Sequence, residues 1–99
     1  MPHFFLRLIP PRPTFATDMT ATEREVMGAH AAYLSSLVDK EIGIAFGPVF
    51  DPEGAWGLGI VEAANEAEAR ALTEKDPVVI AGIARYEVLP MRLSFLRKG

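Results

Sequence analysis

The stretch TEREVMGAHAAYLSSLVDKE, Thr22 to Glu41, decides how this chain is read. Val26, Met27, His30, Tyr33, Leu34, Leu37 and Val38 recur at intervals of one helix face. At about 100° per residue, Leu37 lies about 20° from His30 around the axis, and Val26 and Leu34 about 40°. The histidine therefore stands in the middle of the apolar stripe. Thr22 with Glu25 makes a capping box, and Thr20 with Glu23 is the alternative two residues earlier. Gly43 is the stop signal. Gly28 costs about 1 kcal/mol relative to alanine inside a helix and is read as a point of close packing.

Upstream, His3 to Ile9 is aromatic and aliphatic and reads as a strand. Its period of two puts Phe4, Leu6 and Leu8 on one face, and His3, Phe5, Arg7 and Ile9 on the other. Both faces carry apolar residues, so helices cover one and a partner or a pocket covers the other. Pro10, Pro11 and Pro13 end the strand, because proline lacks the amide a ladder needs. The chain to about Asp18 is then expected as a loop.

Downstream, Ile44 to Phe50 reads as a second strand with a bend at Gly47-Pro48. Asp51-Pro52-Glu53-Gly54 has turn chemistry and joins it to a third strand, Ala55 to Val61, in an antiparallel hairpin. There Trp56, Leu58 and Ile60 share one face, and Gly57, Gly59 and Val61 the other, where a neighbour or ligand can come close. Asn65 with Glu68 starts a second helix, whose shallow stripe is Ala64, Ala67, Ala71 and Leu72. Pro77 ends it or opens a short turn after Asp76. Ile83 to Leu89 is the fourth strand, with Ala84, Tyr86 and Val88 opposite Arg85, Glu87 and Leu89, interrupted by Pro90. Met91 to Leu96 has the makings of a short terminal strand that pairs with a neighbour or a partner chain.

The order strand, helix, strand, strand, helix, strand is the split βαβ, or ferredoxin-like, pattern: an α+β fold with both helices on one face of an antiparallel sheet. With 99 residues and no linker or repeat, a single domain over 1–99 is expected. A second copy is the simplest cover for the open face, so a homodimer is expected.

Net charge is -3 with the signs intermixed and no basic patch, which argues against nucleic acid as a partner. The chain has no cysteine, which removes disulfides, thiolate catalysis and cysteine-type zinc sites, and fits a cytoplasmic protein. Neither a signal peptide nor an apolar run of the ~20 residues a membrane span needs is evident. No metal-ligand spacing and no phosphate-binding glycine loop appears, so no cofactor or metal is expected.

The candidate catalytic residues are His30 and Asp76. Histidine is the natural proton shuttle near neutrality, provided a partner fixes its tautomer. The topology returns the end of the second helix beside the first, where Asp76 can accept from one imidazole nitrogen. A core histidine and a capping aspartate are the plain structural alternatives. No serine or cysteine nucleophile accompanies them, so proton transfer fits better than acyl transfer. Arg7, Tyr33 and Trp56 are the candidate substrate-binding residues. Arg7, flanked by Phe5 and Ile9, is read as pairing with a carboxylate such as Asp76 or with an anionic ligand.

These residues together resemble the YCII-related (YciI-like) family of the dimeric α/β-barrel superfamily. The resemblance is carried by Phe4-Phe5-Leu6-Arg7, by Thr22-Glu23-Arg24-Glu25 leading to His30 and Tyr33-Leu34, by Gly47-Pro48 then Asp51, and by Asp76-Pro77 before Tyr86-Glu87-Val88. It implies a ferredoxin-like fold whose sheets pack face to face in a homodimer. It also implies an active site with a His-Asp pair, falling here on His30 and Asp76, with Arg7 at a polar position near it. The family includes a ring-dehalogenating member. The proline-rich stretch Pro10 to Asp18 departs from the family pattern and is expected to reshape the pocket mouth.

The leading expectation is a small cofactor-independent enzyme that moves a proton, by isomerisation or elimination, on a small polar or aromatic molecule. The alternatives are a non-catalytic dimeric metabolite-binding module of the same fold, and a purely structural His30–Asp76 pair.

Overall fold

Alternate residues of the first strand are buried, as its two-residue period requires, and that strand sits inside a sheet rather than at its edge. The computed structural model describes residues 1–98. The elements run β1 (His3–Ile9), α1 (Phe15–Asp18), α2 (Ala21–Asp39), β2 (Gly43–Val49), β3 (Trp56–Glu62), α3 (Glu66–Glu74), α4 (Pro77–Ile80) and β4 (Arg85–Met91). The strands form one antiparallel sheet in the order β2-β3-β1-β4. This is the ferredoxin-like order expected from the sequence, with β1 and β3 central and β2 and β4 at the edges.

The helix-side face of the sheet carries Phe4, Leu6, Val61 and Val88, which join Ala63 and Ala69 of the α3 region in one buried cluster. Leu8 lies on the same face, opposite Gly57. The glycines of β3 let side chains lie flat on the sheet: a Cβ on Gly59 would come within 2.8 Å of the Phe46 ring, and one on Gly57 within 3.1 Å of Leu8. The other face carries Phe5, Arg7, Leu58, Ile60, Glu87 and Leu89 and has no covering layer among the described residues.

Several boundaries differ from the expectation. The capping box is Thr20 with Glu23, so α2 starts at Ala21. It stops at Asp39, and the reversal falls on Glu41, at φ 62°, not on Gly43, which instead opens β2. Gly28 meets nothing within 4 Å of a built Cβ, so close packing does not explain it. The stretch to Asp18 is not all loop, because Phe15–Asp18 forms one helical turn. In α3 the buried residues are Ala69 and Thr73, with Ala64, Ala67 and Ala71 exposed. The helix lies on the sheet one step around from the alanine stripe. Pro77 opens α4, capped by Asp76.

Pro90 does not interrupt β4, which continues to Met91 with Pro90 opposite Phe4. An edge strand tolerates the missing donor on its unpaired side. Pro48 sits in the same way in the opposite edge strand, β2. Residues 92–98 form no strand with a neighbour within the chain, and Phe95 is 96% exposed. No helix among the described residues is long and apolar enough to cross a membrane.

Candidate functional site

Asp76 owes its position to a helix start. It is the N-cap of α4, with its Oδ1 accepting from the Val78 amide at 3.0 Å. That leaves Oδ2 free for other donors, and two reach it: His30 Nδ1 at 2.7 Å and the Tyr86 hydroxyl at 2.7 Å. The carboxylate is fully buried, at 0% exposure. A buried carboxylate needs compensating donors, and here one residue accepts from three elements: α2, α4 and β4.

His30 reaches Asp76 because α2 lies against α4 with its apolar stripe inward. His30 and Leu37 are its buried residues. A carboxylate at Asp76 only accepts, so Nδ1 carries a proton, and in the neutral imidazole Nε2 is then the lone-pair nitrogen. No described side chain or backbone group takes up Nε2, and His30 lines a cavity of about 520 Å³. Burial first, and the Asp76 carboxylate second, push the Tyr86 hydroxyl well above the ordinary tyrosine range, so it remains a neutral donor.

The cavity lies between α2 and the helix-side face of the sheet. Met27, Ala31 and Leu34 form its roof with His30, while Leu8, Phe46 and Tyr86 come from the sheet. Its volume falls in the usual range for small-molecule sites.

The other expected site residues are placed elsewhere. Arg7 is on the open face, across the sheet from His30, with its guanidinium 4.6 Å from the Trp56 ring centroid. Its carboxylate neighbour is Glu87, at 4.0 Å, not Asp76. Trp56 borders the cavity at the start of β3, but its indole stands edge-on to Phe5 and under Arg7, on the open face. The indole N–H donates to Asp51 at 3.2 Å. Tyr33 ties α2 to α3 by donating to the Leu72 carbonyl at 2.6 Å, and is not among the cavity's lining residues. Burial and then Asp76 raise its pKa.

Tyr86 is the residue that sequence reasoning passed over. The alternation of β4 put it on one face with Val88; only the strand order shows that this face meets Asp76. Among the described residues no group of three or more histidine, aspartate or glutamate side chains is placed to hold a metal ion.

The topology and this site define a ferredoxin-like α+β domain with an imidazole–carboxylate–phenol cluster beside an apolar cavity. A family model for the YCII-related domain matches residues 3–92, and the chain belongs to that family. Among solved structures, it is similar to 5-chloro-2-hydroxyhydroquinone dehydrochlorinase from Burkholderia phenoliruptrix AC1100, in complex with 2,5-dihydroxybenzoquinone. The TM-score is 0.64 and the identity 24%, covering 90% of this chain and 93% of the other. No curated protein matches the sequence.

Proposed function

We propose that the chain is a small enzyme that transfers a proton at His30, by elimination or isomerisation, on a small polar or aromatic molecule bound in the cavity. The observation that carries this is the divided bonding of His30: Nδ1 is held by Asp76 at 2.7 Å while Nε2 is left to the cavity. A neutral imidazole so oriented is a general base. It takes a proton from an acidic O–H or C–H, and the imidazolium that forms is stabilised by the buried carboxylate. In an isomerisation the proton returns to another atom of the substrate. In an elimination the electrons released expel a leaving group, the substrate losing HX overall, with no oxidant required. The Tyr86 hydroxyl, bonded to the same oxygen, keeps Asp76 from turning away. The dehydrochlorinase of like fold supports a ring substrate.

The test is proton–deuterium exchange. Neutral phenolic and enolisable probes are incubated in deuterated buffer, and exchange at their C–H positions is followed by NMR. Exchange accelerated by the protein is the expected result; saturable binding without exchange or product would favour the metabolite-binding module instead.

The open sheet face is proposed to be covered by a second copy of the chain, because Phe5, Leu58, Ile60 and Leu89 lie together on it without a covering layer. Contiguous apolar faces of this kind mark association sites. Light scattering is expected to give twice the chain mass, and Leu58→Asp, a charge in the middle of that face, to give a monomer. A wild-type monomer at micromolar concentration would sink this reading.

A further inference from the structure

The segment between β1 and α2 is fastened at two points that do not involve His30. At the first, Arg12 donates to both oxygens of Glu23 at 2.8 and 2.9 Å, to the Asp18 carboxylate at 2.8 Å and to the Asp18 carbonyl at 3.0 Å. Such a bidentate pair fixes both distance and orientation. Arg12 and then the Thr20 amide hold Glu23 at about 2, well below the usual carboxylate range, so the clamp stays charged at every working pH. At the second point, Pro13 crosses the β2–β3 turn at Gly54. Gly54 has φ +130°, and a Cβ there would come within 2.8 Å of the Pro13 carbonyl oxygen. Both the angle and the contact demand glycine.

Beyond Pro13 the segment turns inward. Phe15, the buried residue of α1 at 5% exposure, lines the cavity together with Ala16 and Met19. The Arg12 guanidinium packs 5.3 Å from the centre of the Phe15 ring. The cavity lining contains no aspartate, glutamate, lysine or arginine. A charged substituent entering it would lose its hydration with no countercharge to meet.

We infer that the strap Pro10–Met19 is the specificity element of this site. Phe15 limits ligand size at the strap end, and the uncharged lining restricts the ligand to neutral ring molecules that present one acidic hydroxyl to His30. This deepens the proposed function and rests on the reading of the cavity as the substrate site. Arg12 acts through Phe15 as a positioning residue and touches no ligand.

The experiment is calorimetric titration with 4-methylphenol, 4-butylphenol and 4-hydroxybenzoate, on the wild type, Phe15→Ala and Arg12→Gln. Circular dichroism checks that each variant folds. The wild type is expected to bind 4-methylphenol at least about tenfold more tightly than the charged 4-hydroxybenzoate. Phe15→Ala is expected to shift the preference toward 4-butylphenol by about fivefold or more, as a hydrophobic pocket discriminates on added methylenes. Arg12→Gln should blur the size preference without admitting the carboxylate. Should Phe15→Ala fail to fold, Phe15→Leu is expected to move the ratio in the same direction by less. Equal affinity for the charged probe, an unchanged size ratio in a folded Phe15 variant, or no binding of any probe overturns the inference. Deuterium exchange separates the two readings: exchange with a size ratio indifferent to Phe15 defeats only the strap, and size-selective binding without exchange defeats only the enzyme.

Discussion

Replacement of Asp76 by alanine is expected to lower the unfolding free energy by about 3–5 kcal/mol, the loss typical when one partner of a buried charged network is removed. The side chain is fully buried, and its loss strands the Val78 amide, His30 Nδ1 and the Tyr86 hydroxyl at once. It also removes the N-cap of α4. A domain typically has about 5–15 kcal/mol in total, so the loss is from about a fifth of the stability to all of it. Asp76→Asn keeps an oxygen for the cap but sets its amide against both donors of Oδ2, His30 Nδ1 and the Tyr86 hydroxyl, of which the hydroxyl can rotate to accept; it should cost less, about 1–3 kcal/mol. Urea titration followed by circular dichroism, with an unchanged slope, measures both. A loss below about 1 kcal/mol in the alanine variant would mean that the three donors find other acceptors.

The largest effect on turnover is expected at His30, and the informative substitution is asparagine. Its amide nitrogen lies roughly where imidazole Nδ1 lies, so the bond to Asp76 survives while the Nε2 lone pair is lost. His30→Asn should cut proton exchange or turnover by about 10²–10⁴, the usual worth of a positioned general base. Its unfolding free energy should stay within about 2 kcal/mol of the wild type, because the core loses part of a ring but gains no unpaired charge. The comparison separates the roles of the pair, since Asp76 variants should lose both stability and rate. A His30→Asn protein that keeps a third or more of the wild-type rate would remove His30 from the chemistry.

The fold was legible because its signals are local. The α2 stripe, the Asp51–Gly54 turn and the Asn65 cap each depend on residues a few positions apart, and their order leaves few topologies open. The contact of His30 with Asp76 was legible for a related reason: a histidine central in an apolar stripe must face the core, and Asp-Pro announces a helix start nearby. The position of Arg7 was not. Alternation in β1 separates two faces but does not say which one the helices cover when both are apolar. The sequence suggests Arg7 near the pocket, whereas it lies across the sheet from it. Tyr86 carries no such local signal: the ferredoxin-like order puts β4 beside β1, but the meeting of its hydroxyl with Asp76 depends on where α4 starts against that strand. The strap's inward turn at Phe15 has no signal in the sequence, where three prolines suggest only a break.

The prolines at the two sheet margins bear on how these molecules behave when crowded. Pro48 in β2 and Pro90 in β4 each withdraw an amide from a border that would otherwise template further chains. Lateral accretion into fibres is thereby discouraged on both flanks. The pairing proposed for the broad surface of the sheet would end after one addition, and the protein should then tolerate high concentration without seeding.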